Sequence, residues 1–134
     1  MFFYGTLQDP DVLTTLLSLQ LSPILHSASI SGYAIKMWGI YPALIPSTAQ
    51  STVKGMLWRC ESEAHFEKLR AYETGAYTWM ECDAVLLDGD GEGIVRGVRV
   101  FVWAGNTNDE ELEDGNFDFK WWKRYLKSSV VKRR

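Results

Sequence analysis

The sequence predicts an α+β fold built on a mixed, mostly antiparallel sheet. Strand-like segments outnumber helical ones and do not alternate with them in the regular way a doubly wound sheet requires. Two long alternating segments between residues 77 and 103 also read as the arms of one hairpin.

Residues 1–4 form an apolar, aromatic run that stops at Gly5, which reads as a first strand ending in a tight loop. Asp9 before Pro10 supplies an N-cap and a favoured first helical residue, and Val12, Leu13, Leu16 and Leu17 recur behind them at helical spacing. The stretch 24–35 is strand-like but broken by Gly32, and Pro42 and Pro46 then bracket an extended Ala43-Leu44-Ile45. Alternation over 53–60 predicts another strand. Ser62 and Glu63 open a helix that carries Phe66, Leu69 and Tyr72 and should end near Gly75. In the clearest strand, Thr78, Met80, Cys82, Ala84 and Leu86 share one face and Tyr77, Trp79, Glu81 and Asp83 the other. The first face is expected in the core, the second to be polar or to line a site. A DGDGEG turn at 88–93 leads into a returning strand in which Val98, Val100 and Val102 alternate with Arg99, Phe101 and Trp103. The acidic stretch 106–115 reads as a solvated loop, and 118–127 as a closing helix.

With 134 residues, 46% of them apolar, the chain has the size of a single domain spanning 1–134 with a core of its own. Its net charge of −3 provides no long-range field for nucleic acid or anionic lipid, so neither is an expected partner. Lys127 with Lys132, Arg133 and Arg134 is the one basic cluster and reads as solvated, with 128–134 as a basic tail. Cys60 and Cys82 lie far apart on apolar segments, as buried free thiols rather than a zinc site or disulfide framework. Neither a signal-like N-terminus nor a run of membrane-spanning length is present, which makes a soluble, cytoplasmic protein the expectation.

Chemistry has few places to sit. His26 and His65 are far apart and neither has a second ligand at metal spacing, so no metal is expected. Nucleophile-elbow, Walker and dinucleotide fingerprints are all missing. What remains is a loop and a carboxylate. In Tyr4-Gly5-Thr6-Leu7, between a strand and a helix start, Gly5 lets the backbone turn and the N–H groups from Thr6 to Gln8 converge on an oxygen-rich group. Glu73 sits at a helix end, where the C-terminal dipole disfavours a carboxylate. Tyr72 and Tyr77 flank it and lower the local dielectric, which raises its pKa toward the range of a general acid and base. Trp38, just ahead of the 39–46 segment, and Trp79, on the strand face of Tyr77, are the candidate pocket walls. Trp58, Trp103, Trp121 and Trp122 are assigned to the core.

Together Tyr4-Gly5-Thr6-Leu7 and Glu73 resemble the γ-glutamylcyclotransferase-like family, which carries such a loop after its first strand and a glutamate after its central helix. Gly39-Ile40-Tyr41-Pro42-Ala43-Leu44-Ile45-Pro46 and Val53-Lys54-Gly55-Met56-Leu57-Trp58 are similar to two further family segments, and Phe117-Asp118-Phe119-Lys120-Trp121-Trp122 to its closing aromatic helix. Tyr77 follows Glu73 by four residues, as in the family pattern. Two departures stand out: Thr74 where the family often has glycine, and Thr78-Trp79-Met80 where it has an arginine soon after the tyrosine.

The resemblance implies a small mixed β-barrel with helices packed outside, and a cofactor-free reaction. The α-amine of a γ-glutamyl group attacks its own γ-carbonyl, giving 5-oxoproline and a free amine. Glu73 would be the catalytic acid and base, and Tyr4, Gly5, Thr6, Leu7, Tyr41, Tyr77, Trp38 and Trp79 would bind substrate. The partner is a small molecule, and the chain acts as a monomer or homodimer. Two alternatives remain open: the same glutamate serving an isomerase or lyase step on a small metabolite, or a binding module that has lost the chemistry.

Overall fold

Alternation along the strands sorts the side chains into an inside and an outside. In the computed structural model, which describes residues 1–87 and 93–131, a closed barrel is formed by β1 (Phe2–Phe3), β2 (His26–Ser31), β5 (Thr52–Leu57), β6 (Tyr77–Leu86) and β7 (Ile94–Trp103). Around the barrel the order is β1-β5-β2-β6-β7. Every pairing is antiparallel except the closing one, a parallel bridge between Phe2 and Val100. A second sheet, in the order β4-β3-β8, consists of β3 (Tyr33–Trp38), β4 (Tyr41–Pro46) and β8 (Leu112–Glu113). The helices are α1 (Pro10–Leu17), α2 (Glu63–Glu73), α3 (Phe119–Tyr125) and α4 (Lys127–Val130), with a 3₁₀ turn at Thr6–Gln8. The expected mixed barrel with helices outside it is what forms.

Phe2 and Tyr4 from β1 and the adjoining loop point into the barrel with Ala28, Ile30, Val98, Val100 and Val102. Their neighbour Phe3 points outward and packs with Leu13 of α1, Phe66 and Leu69 of α2, Phe101 of β7 and Trp122 of α3. Period-2 alternation thus supplies two cores from the same strands, one inside the barrel and one between barrel and helices. Capping sets the helix starts. The Asp9 carboxylate accepts the N–H groups of Asp11 and Val12, Ser62 accepts that of His65, and Asp118 that of Trp121.

Several expectations are corrected. The acidic stretch 106–115 is not all loop: Leu112 is buried, and β8 pairs with Met37 and Trp38. The face of β6 assigned to the core is buried only from Cys82 onward, because β2 covers β6 at Val85 and Leu86 alone; Thr78 and Met80 are exposed, Met80 to 45%. A β-bulge between Cys82 and Ala84 also breaks the alternation. Trp121 lies on the surface against Tyr125, whereas Trp122 is core. Cys60 and Cys82 are free thiols, half-buried rather than buried. Residues 128–130 are helical rather than tail. The turn expected at 88–93, and the cations at 132–134, lie outside the described residues save for Gly93. No helix among the described residues is long and apolar enough to cross a membrane.

Gly55 is where β5 meets β1. A Cβ there would stand 2.2 Å from the carbonyl oxygen of Phe3 and 2.7 Å from Cζ of Phe2. Gly55→Ala is therefore expected to cost about 3 kcal/mol by forcing the strands apart. A urea midpoint equal to that of the wild type would contradict this packing account.

Candidate active site

The loop after β1 is held by β7, β4 and α2 and by bonds of its own. Tyr4 donates its hydroxyl hydrogen to the Phe101 carbonyl at 2.7 Å and accepts the Leu44 N–H at 3.3 Å. The Thr6 and Tyr72 hydroxyls share a hydrogen bond of 2.9 Å, which ties the loop to α2. Both the backbone and side-chain amides of Gln8 donate to the Gly5 carbonyl. Gly5 packs so closely on β4 that a Cβ would come within 3.2 Å of Pro42 Cγ. The 3₁₀ turn then begins at Thr6, and the first N–H groups of a helical turn have no carbonyl of their own turn to bond. The Gln8 N–H is bonded to the Gly5 carbonyl, so of the donors expected from Thr6 to Gln8 it is not available to a ligand.

Glu73, the last residue of α2, opens onto the same cavity as this loop. The cavity measures about 320 Å³, and Gly5, Thr6, Leu7 and Glu73 are among its lining residues. Trp38 and Tyr41 come from the β3–β4 hairpin, and Tyr77 opens β6. Of the nine residues singled out from the sequence, eight therefore meet in one cavity: Tyr4, Gly5, Thr6, Leu7, Trp38, Tyr41, Glu73 and Tyr77. Trp79 does not. Two residues along the strand is close to 7 Å, and this carries its ring past the cavity onto Phe66 of α2, with the Arg99 guanidinium 4.8 Å from the ring centre.

The sequence reading missed the walls supplied by Phe2, Phe3, Pro42, Phe101 and Val130. Strand alternation assigns Phe2 and Phe3 to two different cores and gives no sign that the cavity reaches both. Val130 has no sequence signal at all.

Burial raises the Glu73 carboxyl from 4.5 to about 7. The residue keeps some accessible area, but it faces a concave wall of protein rather than open solvent, and desolvation disfavours the charged form. The Tyr4, Tyr72 and Tyr77 hydroxyls are themselves raised above their ordinary value, first by burial and then by the Glu73 charge, so all three stay protonated. The Tyr77 hydroxyl donates to the Pro42 carbonyl at 2.9 Å, as Tyr4 does to Phe101. Tyr4 and Tyr77 thus shape the cavity with their rings, while their protons are committed to the backbone. Trp38 packs against Tyr77 and Trp103, and Tyr41, 44% exposed, stands at the rim. Among the described residues no group of three or more His, Cys, Asp or Glu side chains is gathered to hold a metal.

The sequence model of the family described as gamma-glutamyl cyclotransferase, AIG2-like, matches residues 1–124. The chain belongs to this family. AIG2-like protein A of Arabidopsis thaliana is 26% identical over 133 residues, covering 98% of this chain and 76% of that relative. AIG2-like protein C of the same plant is 28% identical over 133 residues, covering 98% and 73%. The solution structure of At5g39720.1 from Arabidopsis thaliana superposes with a TM-score of 0.66 at 29% identity, covering 98% of this chain and 84% of that one. That of At3g28950.1 gives 0.68 at 24%, covering 98% and 76%, a likeness of fold. The family's barrel is the one described above.

Thr74, next to Glu73, caps α2 at φ 65° and ψ −178°, a region in which a β-branched residue is strained. Its N–H still bonds the Arg70 carbonyl and its hydroxyl accepts from Ala76 N, which holds the turn. Thr74→Gly is expected to raise stability by about 1 kcal/mol, strain relief exceeding the added freedom of the unfolded chain. Chemical denaturation measures it, and a lower midpoint would refute the strain.

The raised carboxyl has a sign that can be checked. Glu73 binds its proton more tightly folded than unfolded, so its contribution is full below about pH 4.5 and is lost as pH rises through about 7. Relative to Glu73→Gln, the wild type should lose roughly 3 kcal/mol over that window. Parallel stability-against-pH curves for the two proteins would show that burial does not perturb this carboxyl.

Proposed function

We propose that this chain is a cyclotransferase acting on a γ-glutamyl amine or γ-glutamyl peptide, releasing 5-oxoproline and the free amine. The observation that carries the reading is that Glu73 and the turn residues Thr6 and Leu7 line one cavity, in which burial raises the carboxyl to about 7. A cavity of about 320 Å³ falls at the small end of ligand pockets and suits a substrate of dipeptide size.

In the proposed reaction Glu73 takes a proton from the α-amino group of the substrate, whose nitrogen attacks the γ-carbonyl carbon four bonds along the same chain, closing a five-membered ring. The backbone N–H groups of Thr6 and Leu7 hold the developing oxyanion, and the protonated Glu73 returns its proton to the leaving nitrogen as the amide bond breaks. Nucleophile and electrophile belong to one molecule, so the protein needs only to fold the glutamyl chain into a ring-closing shape, and the aromatic walls at Tyr41, Tyr77 and Trp38 suit that task. A pKa of about 7 suits both roles, since the two protonation states are near balance at neutral pH.

Glu73→Gln is expected to lower kcat for 5-oxoproline release by about 10²–10⁴-fold with a folded protein. The wild-type rate should rise with pH through about 7, as the carboxylate form is the base. Undiminished turnover by the variant removes Glu73 from the mechanism. Turnover of another carbonyl compound but of no γ-glutamyl amide, again lost in Glu73→Gln, would assign the same carboxyl to a different proton transfer.

A further inference from the structure

Lys127 is the cation of a clamp rather than part of a solvated basic cluster. Its ammonium lies 2.9 Å from Oδ2 of Asp9 and 2.7 Å from Oδ2 of Asp11. Asp9 is 2% exposed and divides its two oxygens: Oδ1 caps α1 through the N–H groups of Asp11 and Val12, and Oδ2 takes Lys127. It directly follows the 3₁₀ turn of the binding loop, so one buried carboxylate joins the end of that loop, the start of α1 and the start of α4. Lys127 opens α4 and Val130 closes it. Residues three apart share a helix face, and Val130 lines the cavity that holds Glu73.

We infer that Val130 is a specificity-determining residue: the Lys127 clamp onto Asp9 and Asp11 holds α4 against the cavity, and the Val130 side chain limits the bulk of the substrate group lodged beside the binding loop. This rests on the cyclotransferase reading for the nature of the substrate, but not for the clamp. The packing supports a wall. Trp122 of α3 is in the core, Leu126 N–H bonds the Trp122 carbonyl, and Val130 and Val131 pack on the same outer core as Phe3 and Leu7. The α3–α4 segment is therefore fastened at Trp122 and again at Lys127, with Val130 placed by both.

The test compares kcat/KM for γ-glutamyl amides of a small amine and of a bulky aromatic amine. Val130→Ala is expected to shift the ratio toward the bulky amide, and Val130→Phe against it, by about tenfold each, the scale of a few methylenes in an apolar pocket. The same ratio in both variants and the wild type overturns the assignment. Hydrogen exchange in Lys127→Met should rise by about tenfold or more for the amides of 127–131, as a segment held by few contacts opens locally, while those of α2 remain protected. Unchanged exchange at 127–131 overturns the clamp. Because exchange needs no substrate, a wild-type protein that turns over no γ-glutamyl amide would sink the cyclotransferase reading, and the exchange result would still decide the clamp.

Discussion

The buried hydroxyl of Tyr4 joins the two sheets: it gives its hydrogen to the Phe101 carbonyl of the barrel and takes the Leu44 N–H of the second sheet, and Tyr77 adds a further link through the Pro42 carbonyl. Both partners of Tyr4 are backbone groups that would otherwise stay unpaired in an apolar interior, where an unmet donor or acceptor costs about 1–3 kcal/mol. A tyrosine at the head of the loop can do this only if its ring enters the barrel, which alternation from Phe2 ensures. The position of the loop, the closeness of Gly5 to Pro42, and the seat of Trp38 and Tyr41 across the cavity all follow from this joint.

The same constraint explains the electrostatics around Glu73. Tyrosine hydroxyls close to a carboxylate ordinarily donate to it and lower its pKa. Here Tyr4 and Tyr77 donate to main-chain carbonyls and Tyr72 shares its hydrogen bond with Thr6, and among the described residues no cation is paired with Glu73. Desolvation therefore acts unopposed and the carboxyl rises to about 7. Structural hydrogen bonds elsewhere in the cavity leave one group in it poised to exchange a proton.

Much of this was legible because the signals are local. Asp9 with Pro10, Ser62 with Glu63, and the valines at 98, 100 and 102 each encode an element within a few residues, and all three elements form where expected. Failures share a different cause. Leu112 sits in an acidic stretch, and only its pairing to Trp38, distant in sequence, makes it a strand residue. Trp79 has the parity of Tyr77 but not its depth along the strand, and parity alone cannot tell a cavity wall from a residue packed on α2. Met80 follows the alternation of a buried face but lies on the part of β6 that pairs with β7 alone, beyond the reach of β2. Lys127 looks like part of a solvated basic cluster until Asp9 and Asp11 are placed beside it. The convergence of the loop and Glu73 was readable as a resemblance, whereas its geometry depends on tertiary contacts.

The parallel bridge between Phe2 and Val100 has a consequence for the order in which the chain can fold. It joins residues almost a hundred positions apart, and contacts of such separation are made late because their loop entropy is paid before they return anything. The hairpin of β6 and β7 and the pairing of β2 with β5 need far shorter closures. β1 can pair with β5 before β7 is made, and only its bridge to β7 must wait. Barrel closure, and with it the Tyr4 bond to the Phe101 carbonyl that seats the binding loop, therefore belongs to the last stage of assembly, after the loop has been brought near Glu73 by β5 and α2.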